Sequence, residues 1–328
     1  MKTKKKILFI AIMLAVTIAL VMLVIYVQKD SVKEAGTSDH AVYAKKTIEY
    51  EGKRAHLKKH ISTLLVMGTD TFEYQPDTDL PEGAEPFCNY VQADFLTVLV
   101  IDDDEEAIYL LPINRDTMAN VIWLDVNGEE GGICVEQIAL SHTYGSGGKD
   151  SCEHVRKNVE NLIFGAPLNN YIEFTMDAIP VINDMVGGVT VTMEEDLTPL
   201  NPEYVKGKTV TLHGQDALDF IRARMSVSDG TNVSRMSRQK QYIYGFAKAE
   251  REAYSNNPEL FTQAIDKLNK YLLTDMTAQK MNEIAEKLSA YELKPMVEIE
   301  GEFKEGEFME FYPDYDSMWD AVKLCFCK

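Results

Sequence analysis

The longest hydrophobic run in the chain lies near its N-terminus, from Ile7 to Val27, and contains no charged side chain. Its 21 residues are enough to cross the hydrocarbon core of a bilayer as a helix. Four lysines precede the run, and this asymmetry predicts an uncleaved anchor over 1–27, with the N-terminus in the cytoplasm and the rest of the chain outside. A cleaved secretory signal is the alternative, but its apolar region is ordinarily shorter and followed by small residues, whereas Gln28 and Lys29 follow this one.

Beyond the anchor, short apolar runs alternate with segments of helical periodicity. The runs 64–67, 95–101 and 107–113 predict buried strands, the last two joined by the acidic turn DDDEE. Apolar positions three and four residues apart predict helices over 151–163 and 176–186. Strands that alternate with helices are typical of a layered α/β/α domain, so we predict a central mixed sheet flanked by helices.

Composition indicates the domain boundaries. Residues 28–58 are polar without a sustained period and predict an extracellular stalk, and residues 59–255 form the main domain. The remainder, 256–328, predicts further helices, the last near 315–326, and a strand-like MVEIEGEF, which we interpret as an extension packed on the domain. A proline-rich and acidic stretch at 74–86 predicts a surface insertion.

Charge and cysteine content exclude several functions. The chain has 33 basic and 52 acidic residues, and without the four lysines before the anchor the exported part has 29 basic residues and a formal charge of −23. Such a surface repels nucleic acid and anionic lipid headgroups. The five cysteines match no zinc-binding spacing and specify no disulfide pairing, and no HExxH pattern supports a zinc hydrolase.

One segment of this acidic chain concentrates arginine. Residues 220–241, FIRARMSVSDGTNVSRMSRQKQ, contain four of the eight arginines. The arginine guanidinium is a planar fork of donors that suits phosphate oxygens, so the cluster predicts binding of an anion with more than one charge. Surface salt bridges are the alternative, although Asp229 is the only acidic residue between 221 and 241. The predicted anion-binding residues are Arg222, Arg224, Arg235, Arg238 and Gln239.

Charged residues also lie at the ends of the predicted strands. Arg115, in PINRDTM, follows a strand, and α/β sheets bind ligands beyond their strand ends; pairing with its neighbour Asp116 is the alternative. Asp70 follows one strand and Asp94 precedes another, and two carboxylates at adjacent strand ends suit a Mg²⁺ ion that bridges phosphates. Solvated turn aspartates are the alternative interpretation of this pair. The glycine-rich YGSGGKDS does not match the phosphate-binding Walker pattern.

Taken together, these residues in this order resemble the LytR-CpsA-Psr family of wall-glycopolymer ligases. The matching segments are LLVMGTDT, ADFLTVLVI, LLPINRDTM, ALSHTYGSGG, NNYIEFTMDAIPVINDMVGGVTVTM, TLHGQDALDFIRARM and SRMSRQKQ. They cover residues 64 to about 245, and their combination is more specific than any one of them. The long spacer between Asp70 and Asp94 and the loop SDGTNVSR before Arg235 depart from the family pattern.

The resemblance implies a membrane-anchored enzyme on the outer face of the bacterial cell membrane. Such an enzyme moves an anionic glycopolymer, which is a teichoic acid, a capsule or a related polysaccharide, from an undecaprenyl-pyrophosphate carrier to peptidoglycan. It implies Mg²⁺, or Mn²⁺, at Asp70 and Asp94, and pyrophosphate contacts from Arg115 and the cluster at 222–239. Arg115, Asp116 and Asp94 are the predicted catalytic residues, with either carboxylate orienting or deprotonating the acceptor hydroxyl. Two alternatives remain: a polyprenyl-pyrophosphate phosphatase at the same site, and a non-enzymatic envelope protein that binds or regulates.

Overall fold

The computed structural model describes residues 46–70, 89–125, 128–223, 269–306 and 308–328, together with helical residues at 237–238, 241–242, 245–246, 248–249, 252–253 and 256. The predicted anchor, the first part of the predicted stalk, the insertion at 74–86, Arg224, Arg235 and Gln239 lie outside the described residues. Within the described ranges, no helix has both the length and the apolar character needed to span a bilayer.

The elements are numbered in chain order. The strands are β1 Thr47–Tyr50, β2 Lys53–His56, β3 Ile61–Thr69, β4 Ala93–Asp102, β5 Ala107–Ile113, β6 Met118–Leu124, β7 Glu130–Gln137, β8 Asn170–Thr175, β9 Val189–Thr192, β10 Thr209–Leu212, β11 Leu272–Thr274, β12 Glu292–Leu293, β13 Gly301–Glu305 and β14 Met309–Pro313. The helices are α1 Lys149–Leu162, α2 Ala178–Met185, α3 Gln215–Arg222, α4 Ala278–Ala290 and α5 Tyr315–Phe326, and a 3-10 helix covers Ile138–Thr143.

The chain divides into two compact units. The sheet unit consists of Glu34–Thr175, Leu272–Thr277 and Ala290–Lys328, and the smaller unit includes Met176–Tyr271 and Ala278–Ser289. Residues 256–328 were predicted to form one extension packed on the main domain; of the elements described there, β11, β12, β13, β14 and α5 belong to the sheet unit and most of α4 belongs to the smaller unit. Edge strands β11 and β12 come from this part of the chain. The sequence analysis did not predict them because a two- or three-residue strand is too short to produce a recognisable pattern.

A six-stranded mixed sheet forms the centre of the sheet unit, in the order β11-β8-β3-β4-β5-β12. The three strands β3, β4 and β5 are successively antiparallel, whereas β8 is parallel to β3 and β12 is parallel to β5. The predicted α/β fold with a central mixed sheet is confirmed. Nearly every residue of β3 and β4 is buried, which explains why both strands have unbroken apolar runs rather than alternating ones.

The core of the sheet unit includes two helices that the sequence pattern predicts. Cys152, Val155 and Val159 on α1 pack into the same core as Trp319 and Phe326 on α5. The bounds of α5 agree with the predicted helix near 315–326, and its start is stabilised because the Asp314 side chain accepts hydrogen bonds from two backbone amides of the first turn.

The hairpin of β1 and β2 changes the predicted extent of the stalk. The two strands are antiparallel, and Ile48 and Ala55 are buried in the core of the sheet unit. Residues 47–56 are therefore part of the folded unit, although the sequence predicts a stalk up to residue 58. Each strand has four residues and supplies only one or two apolar side chains, so a period of two is not visible in the sequence.

In the smaller unit, β9 and β10 form an antiparallel pair. The helix predicted over 176–186 is present as α2, and the strand that follows it begins at Val189. Helix α3 begins after Gly214, whose φ of 48° is in the left-handed region, and ends at Arg222. The predicted position of Arg222 at the end of a helix is confirmed.

Candidate active site

Strands β3 and β4 bring Asp70 and Asp94 to the same end of the sheet. The strands are antiparallel, and Thr69, the last residue of β3, pairs with Ala93, the first residue of β4. Each aspartate follows one member of this pair in the chain. Asp70 is exposed and the Asp94 side chain is 21% exposed, and carboxylate oxygens are the ligands that Mg²⁺ prefers. Both residues place a carboxylate at this end of the sheet, and a divalent cation at the pair stays a prediction.

Strand β5 brings Arg115 to the same end. It runs antiparallel to β4, with Ile113 opposite Leu96, so Arg115 leaves the sheet beside Asp94. Arg115 Nη1 forms an ion pair with the Asp94 carboxylate, and Nη2 donates a 2.7 Å hydrogen bond to Gln92 Oε1. The Arg115 side chain is 21% exposed. Its guanidinium is therefore oriented by two neighbours and still reaches solvent.

Asp116 adjoins this ion pair and is largely buried. Its Oδ1 atom lies 3.4 Å from Arg115 Nε, so the neighbour pairing considered from the sequence is present in addition to the pair with Asp94. Gln137 Nε2 donates hydrogen bonds to Asp116 Oδ1 at 3.3 Å and to the Met309 carbonyl oxygen at 2.6 Å. Because two carboxylates face one guanidinium, a cation at Asp94 would offset the excess negative charge and favour an anion at Arg115.

Another carboxyl group on β7 has a shifted pKa. Burial raises the pKa of the Glu136 carboxyl, whose Oε2 atom lies 3.5 Å from Tyr144 Oη.

The backbone amide of Ile138 donates a 2.8 Å hydrogen bond to the carbonyl oxygen of Thr117. The segment that follows β7 is thereby attached to the residues that follow Arg115.

The smaller unit contains the other described members of the predicted arginine set. Arg222 is exposed at the end of α3. Arg238 is 1% exposed; its Nε donates a 3.0 Å hydrogen bond to the Phe220 carbonyl oxygen, and its other nitrogens contact Glu195 and the Ala223 carbonyl oxygen. The salt-bridge alternative therefore describes Arg238, and we leave it out of the proposed anion contacts. The binding roles of the set stay predictions.

The sequence analysis missed Gln92 and Gln137. Both are neutral amides without a motif of their own, and Gln137 comes from a strand that is distant in sequence from Asp116. The one available signal was the spacing of Gln92, two residues before Asp94, because alternate residues of an extended chain point to the same side.

The fold and this site define a mixed α/β protein with an arginine and three aspartates at one end of its central sheet. The model of the LytR_cpsA_psr family matches residues 21–316, and the chain belongs to this family. The resemblance found in the sequence motifs is thereby confirmed.

Individual relatives agree with this assignment. The polyisoprenyl-teichoic acid–peptidoglycan teichoic acid transferase TagU of Bacillus cereus (strain AH820) is 29% identical over 158 residues, which are 48% of this chain and 46% of that protein. The chain thus matches about half the length of this curated relative. The B. subtilis TagU structure has a TM-score of 0.51 at 20% identity, over 80% of this chain and 94% of that one. A structure of TagT bound to LI-WTA has a TM-score of 0.55 at 18% identity, over 81% and 89%. These two structures are similar in fold.

Proposed function

We propose that this protein is an extracytoplasmic transferase that moves an anionic glycopolymer from an undecaprenyl-pyrophosphate carrier to peptidoglycan. Membership of the family supports the reaction class, and the name of the B. cereus relative supports a teichoic acid as the polymer. The observation that carries the proposal is the position of Arg115, which is partly exposed at the sheet end and oriented by Asp94 and Gln92. A permanently charged fork in this position suits a diphosphate.

The arginines act on the charge that the reaction creates. An acceptor hydroxyl of peptidoglycan attacks the phosphorus that bears the polymer, the P–O bond within the diphosphate breaks, and polyprenyl phosphate departs with the bonding electron pair. Arg115 contacts the phosphoryl oxygens and stabilises the transition state as negative charge moves to the leaving group. The family resemblance adds Arg222, Arg224, Arg235 and Gln239 as proposed contacts to phosphate oxygens.

Asp94 is the better of the two candidates for orienting or deprotonating the acceptor hydroxyl. Its side chain is 21% exposed, against 10% for Asp116, whose Oδ1 also accepts the hydrogen bond from Gln137. A group that takes a proton from a substrate has to come within hydrogen-bond reach of it, so the greater exposure favours Asp94. Asp116 then keeps Arg115 in place through its contact with Nε.

A divalent cation is part of this proposal. Asp70 and Asp94 would hold Mg²⁺, or Mn²⁺, because both supply carboxylate oxygens at adjacent strand ends. When bound, the ion polarises phosphoryl oxygens and neutralises their charge. The apolar run from Ile7 to Val27 would anchor the chain in the cell membrane, which places the site on the side of the cell wall.

The test uses the full chain in detergent with a polyprenyl-pyrophosphate-linked teichoic acid, Mg²⁺ and soluble peptidoglycan oligomers. Transfer to the oligomers is expected for the unmodified protein and for Arg54→Ala, an exposed arginine paired with Glu49 on the first hairpin. Arg115→Ala should lose about 100-fold or more in rate, and a circular dichroism spectrum equal to that of the unmodified protein checks that the variant is folded. Full activity of Arg115→Ala would refute the proposal. Release of phosphate without an acceptor would identify a phosphatase, and tight binding without turnover would identify a non-enzymatic binding protein.

A further inference from the structure

Three side chains with metal-binding atoms meet inside the sheet unit, next to the end of the sheet that carries Asp70, Asp94, Arg115 and Asp116, which we call the charged sheet end. His142 lies on the 3-10 helix, Cys152 on α1 and Glu173 on β8, and all three are fully buried. One nitrogen, one sulfur and one carboxylate oxygen lie within 4.8 Å of one another. We call these three residues the His-Cys-Glu cluster. Cys152 Sγ is 2.8 Å from Glu173 Oε2, and His142 Nε2 is 3.2 Å from Glu173 Oε1.

The hydrogen bonds around His142 determine which of its nitrogens faces the cluster as an acceptor. Nδ1 lies 3.0 Å from the carbonyl oxygen of Val91, which only accepts, so Nδ1 carries a proton. In the neutral imidazole the lone pair is then on Nε2, which points at Glu173. Among the described residues Nε2 has no hydrogen bond of acceptable geometry. A lone pair that faces a carboxylate oxygen at 3.2 Å in a buried site is repulsive, and either a proton or a metal ion shared by the two groups removes this repulsion.

We propose that His142, Cys152 and Glu173 bind one divalent cation of the zinc class through Nε2, Sγ and a carboxylate oxygen. Nitrogen, thiolate and carboxylate are the ligand types that Zn²⁺ takes in proteins, and it binds them with tetrahedral geometry. One thiolate and one carboxylate balance a doubly charged ion, so the occupied site adds no net charge to the core. The hydrogen bond from Nδ1 to a backbone carbonyl is the usual orientation of a metal-binding histidine.

The neighbours of the cluster indicate a structural role for the ion. Thr69 Oγ1 donates a 2.8 Å hydrogen bond to Glu173 Oε1 and so orients this carboxylate from β3. Asn89 Nδ2 donates a 2.8 Å hydrogen bond to the His142 carbonyl oxygen, and Val91 contacts the imidazole. The chain from residue 89 to 91 leads directly into Gln92 and Asp94. An ion at the cluster would therefore hold the 3-10 helix, α1, β8 and the segment before the charged sheet end together.

The experiment measures metal content by mass spectrometry in the full chain, purified in detergent without chelator and after unfolding and refolding with Zn²⁺. About one zinc per chain is expected. Cys152→Ser and His142→Gln should each lower zinc retention roughly tenfold or more, as loss of metal-site groups generally does. Cys134→Ser is the matched control, because this thiol lies on β7 and contacts the Val121 carbonyl oxygen.

A second measurement does not depend on the folding of a variant. The unmodified chain refolded with Co²⁺ should acquire a thiolate-to-cobalt absorption band in the near ultraviolet and a visible band typical of tetrahedral cobalt. Absence of both bands, together with less than about a tenth of a zinc per chain, would overturn the proposal. A proton shared by His142 and Glu173 would then be the cation. Metal content and cobalt absorption are measured without substrate, so a negative result for the His-Cys-Glu cluster can be distinguished from a negative result in the transferase assay.

Discussion

Gln92 Oε1 accepts a 2.7 Å hydrogen bond from Nη2 of Arg115, while Nη1 of the same guanidinium forms the ion pair with Asp94. An amide in this position orients the arginine without cancelling more of its charge. The orientation of Arg115 by a neutral partner is the basis of the first prediction.

Gln92→Ala should slow polymer transfer about tenfold. A hydrogen bond to a charged group contributes about 1.5–3 kcal/mol, and about 1.4 kcal/mol corresponds to a factor of ten in rate. We expect the loss in kcat rather than in KM, because the amide binds Arg115, which is the proposed contact to the charge that develops in the transition state. Gln279→Ala, on the exposed face of α4, is the control. An equal loss in both variants, or none in Gln92→Ala, would contradict the positioning role.

Asp70→Ala should raise the Mg²⁺ concentration needed for half-maximal transfer by about tenfold, while saturating Mg²⁺ restores part of the rate. The reason is that one of two proposed carboxylate ligands is lost and Asp94 remains. Mg²⁺ titrations of the transfer rate provide the measurement. Asp320→Ala, an exposed aspartate paired with Lys323 on α5, should leave the titration unchanged. An unaltered Mg²⁺ dependence in Asp70→Ala would exclude this residue as a ligand.

Arg238→Met should mainly lower stability and Arg222→Met should mainly lower the transfer rate, although both arginines come from one short segment of the sequence. Arg238→Met removes the partner of Glu195 and the donor to the Phe220 carbonyl oxygen, and we expect a loss of about 3 kcal/mol in the free energy of unfolding. Arg222→Met, at an exposed side chain, should cost less stability than Arg238→Met and should reduce transfer. Urea denaturation and the transfer assay separate the two. A strong loss of stability in Arg222→Met would remove the case for a binding role.

Trp319→Ala should destabilise the sheet unit by about 3–5 kcal/mol. Trp319 is 3% exposed on α5, and its ring lies 5.3 Å from that of Phe164 and 5.9 Å from that of Tyr50. Leu324→Ala, on the same helix but 56% exposed, should cost less than about 1 kcal/mol. Similar unfolding midpoints for both variants would show that α5 is not part of the cooperative core.

Glu136→Gln should flatten the dependence of stability on pH. Burial raises the pKa of Glu136 above its ordinary value of 4.5, so the protonated carboxyl favours the folded state. This contribution is complete below 4.5 and is lost as the pH rises through the folded-state pKa. Unfolding free energies measured from pH 4 to 7 should therefore decline less in Glu136→Gln than in the unmodified protein. Glu302→Gln, on the exposed strand β13, is the control, and equal slopes in both variants would contradict the assignment.

Local patterns in the sequence were sufficient for the elements and for one part of the site. The unbroken apolar runs of β3, β4 and β5, the helical spacing in α1 and the last helix near 315–326 all depend on neighbours a few residues away, and the structure confirms them. Asp70, Asp94 and Arg115 could be predicted at strand ends for the same reason. Their meeting at one sheet end follows from the antiparallel order of three consecutive strands.

Only the tertiary structure decided the contacts that join distant parts of the chain. It placed Arg238 in a buried ion pair with Glu195 while Arg222 stayed exposed, added β11 and β12 to the sheet edges, and brought Gln137 to Asp116. It also assembled the His-Cys-Glu cluster from a 3-10 helix, a helix and a strand. The sequence by itself determined which side chains are apolar and suited to burial and which side chains carry charge, because both properties depend on the residue type alone. Which charge each residue faces depends on packing between segments far apart in the chain, and no spacing rule contains that information.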